Sequence, residues 1–163
     1  MKEKIGTSFL LFLRMLGAAW LAFLVSLIPM YVVRGAYHNK EIENIVMAIT
    51  GMLLGFVFLT ILQMRDDKAH RLSIKQLVAL SGSAVGIYIL GCILVYLPTK
   101  NNYPIAVLGY QFSQVIGTNA DGYPVFSAVL ISALVFGALY FGAILLGSHI
   151  ARRRHAKLMG STK

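Results

Sequence analysis

The chain has 163 residues, 58% of them hydrophobic and 13% charged, and a formal net charge of +9. An average soluble domain carries about 25% charged residues, so this chain has roughly half the usual complement of surface-forming side chains. That excludes a soluble enzyme, a disordered tail and a disulfide-built secreted module, and a single cysteine, Cys92, leaves no internal disulfide and no thiol relay.

The first uncharged apolar run covers residues 15–33, nineteen residues or about 28 Å of helix. That is enough to cross a hydrocarbon core of about 30 Å. Residues 5–13 are also apolar and continue the helix. Arg14 then falls about a turn inside the boundary, where its stem can snorkel to the headgroups. A cleaved signal peptide is the rival reading, with Lys2 and Lys4 as its basic start, but the apolar stretch is too long and no small-x-small cleavage site is followed by a mature soluble domain.

The second span, residues 45–64, follows Asn39 as N-cap, with Glu41 and Glu43 placed to meet the positive end of the helix dipole. The third, residues 77–97, opens at Ser73 and Gln76, three apart as in a capping box, and closes at Pro98. These two are expected to pair as a hairpin. The fourth, residues 125–148, follows Pro124, which suits a first helical position because its missing N–H has no partner there anyway.

Residues 98–124 form the one substantial connection. Within it Ile105, Leu108, Phe112 and Val115 recur at steps of three and four, the pattern of one face of a short helix. Asn101 or Asn102 is the cap, and the stretch from Pro104 to Ala120 is uncharged, so it is read as an interfacial helix in preference to a re-entrant piece. The predicted fold is all-α: one polytopic domain of four transmembrane helices with this short segment in the outer loop, and a basic tail over residues 152–163.

Orientation follows from the positive charges, which are retained in the cytoplasm. The N-terminal segment, the stretch from Arg65 to Lys75 and the tail hold twelve of the fifteen lysines and arginines, and the other side holds Arg34, Lys40 and Lys100. Both termini are therefore expected inside and the long loop outside, in a plasma membrane; short loops suit a bacterial inner membrane. The charge faces an anionic leaflet, so it implies lipid headgroups and no nucleic acid.

Between their boundaries the four runs carry no Asp, Glu, Lys or His. Mid-membrane ionisable groups are what proton-coupled carriers use, so a proton-driven exporter is disfavoured. The runs do carry small residues at four-residue spacing, which let helices approach closely in lipid. Gly51 with Gly55, Gly82 with Gly86, and Gly137, Gly142 and Gly147 on the fourth run are the candidates for internal packing or for a partner face. The fourth run is the preferred partner face, because small residues occur on more than one of its sides. Tyr88, Cys92 and Tyr140 are read as interhelical packing and hydrogen bonding before a polar crevice.

Arg152, Arg153, Arg154 and Lys157 follow the last run directly and are expected to contact anionic lipid, each charge near such a surface being worth about 1 kcal/mol. An outer polar site built from Asp121, His38 and Glu41 is a minor candidate. Asp121 precedes Gly122 and reads first as a turn, and two ligands at His38 and Glu41 do not make a metal site. No metal or cofactor is expected.

In gross layout the chain resembles the lipoprotein signal peptidases, four-span membrane proteases that use a pair of aspartates at the outer leaflet. The paired aspartate motifs are missing, and Asp121 stands alone outside. The leading expectation is thus a non-enzymatic integral membrane accessory or assembly subunit that binds another membrane protein, or a second copy, through small-residue helix faces. A small oligomeric transporter, channel or lipid-handling protein is the alternative, and a membrane enzyme using Asp121 the third.

Overall fold

A computed structural model describes residues 2–65, 72–99, 110–120 and 124–160, and these are all-helical apart from short connections and one isolated antiparallel bridge between Thr118 and Pro124. Five helices follow in chain order: α1 (Lys2–Tyr37), α2 (Lys40–Met64), α3 (Ile74–Thr99), α4 (Tyr110–Ile116) and α5 (Phe126–Gly160). Four of them are long and apolar enough to cross a bilayer, over Phe9–Tyr37, Lys40–Met64, Ile74–Leu94 and Phe126–Lys157.

The helix ends show why the chain folds locally as it does. The Asn39 side chain accepts hydrogen bonds from the Glu41 and Ile42 amides at 2.9 and 3.4 Å, which caps α2 as its sequence predicts. Ser73 and Gln76 form a reciprocal capping box. The Gln76 amide donates to Ser73 Oγ at 3.2 Å, and the Ser73 amide donates to Gln76 Oε1 at 2.9 Å.

Other ends differ from expectation. Helix α3 runs one residue past Pro98 to Thr99. Pro124 is not the first residue of α5: it pairs with Thr118, the Val125 amide donates to the Gly117 carbonyl at 3.2 Å, and this tie holds the chain off the helix until Phe126. Helix α5 then continues through the basic tail to Gly160, well beyond residue 148, because alanine, arginine, lysine, leucine and methionine are all strong helix formers.

Around the bundle the order is α1, α2, α5, α3, with each helix packed on its two neighbours. The expected α2–α3 hairpin is therefore not formed among the described residues. The two helices stand diagonally across the bundle, because α5 offers each of them a closer partner. Helix α4 rests on α2 and α5, with the Phe112 ring edge-on to Phe136 at 6.0 Å between centroids. The predicted outer-loop helix appears as Tyr110–Ile116; Ile105, Leu108 and the proposed caps Asn101 and Asn102 lie outside the described residues.

The interior is built from Met15, Ala18, Leu59, Ala84, Tyr140 and Ile144, all buried, with Leu77, Tyr88, Cys92 and Phe136 packed around them. The outer faces stay apolar: Ile28, Val32, Leu53, Leu90 and Leu134 are each more than half exposed. Soluble monomers rarely expose contiguous apolar patches larger than a few hundred Å².

Candidate functional site

Helix α2 presents Gly51, Gly55, Leu59 and Gln63 at steps of four, and each meets a neighbour. A Cβ on Gly51 would lie 3.8 Å from Ser26 Oγ of α1, and one on Gly55 would lie 2.8 Å from the Tyr140 hydroxyl of α5. Closest of all is the crossing at Gly147, where a Cβ would stand 2.6 Å from the Thr60 carbonyl oxygen and 2.8 Å from Gln63 Cβ. The absence of a side chain at Gly147 lets α2 and α5 approach backbone to backbone.

That close approach builds a polar clasp. Gln63 is 1% exposed, and its Nε2 donates to Ser148 Oγ at 3.0 Å. Its Oε1 accepts from Arg14 Nη1 at 3.2 Å. One amide thus ties α2 to α5 and to α1. Arg14 is half-buried, and its guanidinium reaches this amide oxygen, a contact its place near the end of an apolar run does not by itself reveal. One turn further along α5, Arg152 Nη2 donates to the Leu72 carbonyl just before α3, and its Nε is buried without an acceptor among the described residues. Arg153, Arg154 and Lys157 are exposed.

The remaining glycines divide between inside and outside. Gly137 faces Val85 and Ile89 of α3, with a would-be Cβ 2.9 Å from Val85 Cγ1, and a Cβ on Gly142 would lie 3.8 Å from the Phe56 ring. Gly82 and Gly86 have no atom within 4 Å of a would-be Cβ, and with Ser83 and Ile87 they are exposed on α3. The open small-residue pair is accordingly on α3, while the glycines of α5 are occupied within the bundle. Tyr88, Cys92 and Tyr140 belong to the packed core, and Tyr140 meets Phe136 edge-on at 6.0 Å.

At the opposite end lie His38 and Glu41. His38 has a positive φ of 51° and closes α1, its amide donating to the Arg34 carbonyl at 3.2 Å. Because α2 begins only at Lys40, His38 and Glu41 do not share a helix face, and both are exposed. Glu43 lies 3.9 Å from Arg34. Asp121 lies outside the described residues. Among the described residues no three His, Cys, Asp or Glu side chains group as a metal site would require.

The residues that sequence reasoning did not bring together are Arg14, Gln63 and Ser148. The signal was present: each is a polar residue near one end of an apolar run, and alternating helix directions put those three ends at the same level. Comparison with family models, curated proteins and solved structures finds no match, so the functional reading rests on this geometry.

Proposed function

We propose that the protein is a non-enzymatic integral membrane accessory or assembly subunit that receives a transmembrane helix of another membrane protein on α3. The observation that carries this reading is the open pair Gly82 and Gly86, one turn apart on an exposed face, where a would-be Cβ meets no described atom within 4 Å. In lipid, association rests on contact, and small residues let a second helix approach closely. The tightly packed Gly137 and Gly147 illustrate within the same molecule what such residues achieve when a helix does lie against them.

The setting is a bilayer, with the end that holds Arg14, Arg65, Lys75 and Arg152 in the cytoplasm, and the plasma membrane is the membrane assigned. Four long apolar helices support the first statement and the one-sided distribution of positive charge supports the second. On this placement α4 is an outer-leaflet element seated in the groove between α2 and α5. The basic tail adds general attraction to anionic lipid.

Purification in mild detergent followed by native mass spectrometry tests the reading. A stoichiometric foreign membrane protein that is lost in the Gly82→Leu, Gly86→Leu double variant, with helical content unchanged, is the expected result. A homodimer or closed ring through the same face supports instead the alternative, a small oligomeric transporter, channel or lipid-handling protein. Recovery of a lone monomer in all preparations overturns both.

A further inference from the structure

The basic tail is not uniform. Arg153, Arg154 and Lys157 extend into the surroundings, whereas Arg152 folds back across the end of the bundle, half-buried, with Nη2 donating to the Leu72 carbonyl. That contact ties one end of the guanidinium to the segment before α3. The neighbouring Nε–H is buried and meets no acceptor among the described residues. A buried donor at the edge of a guanidinium is costly to leave empty, and that edge matches a planar or tetrahedral oxyanion.

The described carboxylate side chains, Glu41 and Glu43, lie at the opposite end of the bundle. Among the described side chains no carboxylate therefore lies at this end of the bundle to take that donor. Arg152 is the first arginine or lysine after the apolar run of α5 and sits one turn beyond the Gln63–Ser148 clasp. On the membrane placement proposed above, on which this step rests, that is the level of the lipid phosphates. From this geometry we infer that Arg152, held by the Leu72 carbonyl, binds one phosphate group, and that an anionic phospholipid of the cytoplasmic leaflet supplies it. The exposed Arg153, Arg154 and Lys157 raise the local concentration of such lipids without forming the site.

Native mass spectrometry of the full chain in mild detergent, titrated with phosphatidylglycerol, reads the site. The wild type should retain one lipid, and Arg152→Gln should weaken that adduct by about tenfold or more. Arg152→Lys keeps the charge but lacks the Nε donor and should lose the adduct similarly, while the Arg153→Gln, Arg154→Gln double variant should keep it. Inorganic phosphate is the second arm: if it displaces the lipid and raises thermal stability in an Arg152-dependent way, the same oxyanion site takes a soluble phosphate and the lipid source is overturned. Equal lipid retention by wild type, Arg152→Gln and Arg152→Lys overturns the site itself. Flotation with phosphatidylcholine vesicles separates the two levels of failure, because a chain that floats but shows no Arg152 dependence keeps the membrane reading and loses the phosphate site, whereas a chain that does not float loses both.

Discussion

Replacing Gly147 by alanine adds one methyl group at the point where α2 and α5 are closest. That methyl would stand 2.6 Å from the Thr60 carbonyl oxygen and 2.8 Å from Gln63 Cβ. An ordinary carbon–oxygen contact is about 3.3 Å or longer, so the helices must separate by roughly 0.7 Å at this level. Neither neighbour is the tip of a flexible side chain, so the strain cannot be relieved by a rotamer change. The Gln63 to Ser148 hydrogen bond, 3.0 Å long, stretches with the separation towards the limit of bonding. Overpacking costs about 1–3 kcal/mol, and in membrane bundles a lost interhelical hydrogen bond adds about 0.6 kcal/mol. Alanine is a better helix former than glycine by about 1 kcal/mol, which offsets part of this. The expected net loss is about 1–2 kcal/mol, measured by denaturant titration in detergent micelles. Gly82→Ala is the matched control, since its methyl enters open space and should leave the isolated protein unchanged or slightly more stable. If Gly147→Ala proves as stable as the wild type, or Gly82→Ala is the more damaging of the two, the assignment of inward and outward glycines is wrong.

Further expectations follow from the same contacts. Gln63→Met leaves Arg14 and Ser148 without their shared partner and should cost about 1–3 kcal/mol; in a double-mutant cycle with Ser148→Ala the coupling should be near 0.6 kcal/mol, and zero coupling by denaturant titration removes the clasp. Gly55→Ala should lower the melting temperature, because the new methyl meets the Tyr140 hydroxyl at 2.8 Å, and Tyr140→Phe in the same chain should restore part of the loss. For orientation, a membrane-impermeant thiol probe applied to intact cells should label Ala120→Cys and spare Ser73→Cys, with the reverse pattern inverting the topology. Ala120 suits this test because it is exposed, and the native Cys92 is buried.

What was legible in the sequence was what each helix decides by itself. Apolar runs of sufficient length, the Asn39 cap and the Ser73–Gln76 box are local patterns, and the helices form where those patterns are. The one-sided charge was equally plain. Pairing was not: α2 and α3 are joined by a short connector, yet each packs more closely on α5, a preference set by the side chains of a third element. Four-residue spacing marked Gly82–Gly86 and Gly137 alike, and only the assembled bundle distinguishes the pair left open from the glycine filled by Val85. The clasp was obscured for a similar reason. Gln63 alone in an apolar run says that a partner is needed, but that the partners are Arg14, 49 positions away, and Ser148, 85 away, depends on how the helices stand around one another.

Helix α5 packs on α2, α3 and α4, and the other main neighbour of α3 is α1. The piece that completes the structure is the last of the five to leave the ribosome. Until then Gln63 of α2 lacks its Ser148 partner and Val85 of α3 lacks the helix it packs on, so biogenesis must tolerate a half-assembled intermediate, and stop codons or cleavage ahead of Phe126 should produce a species marked for quality-control degradation.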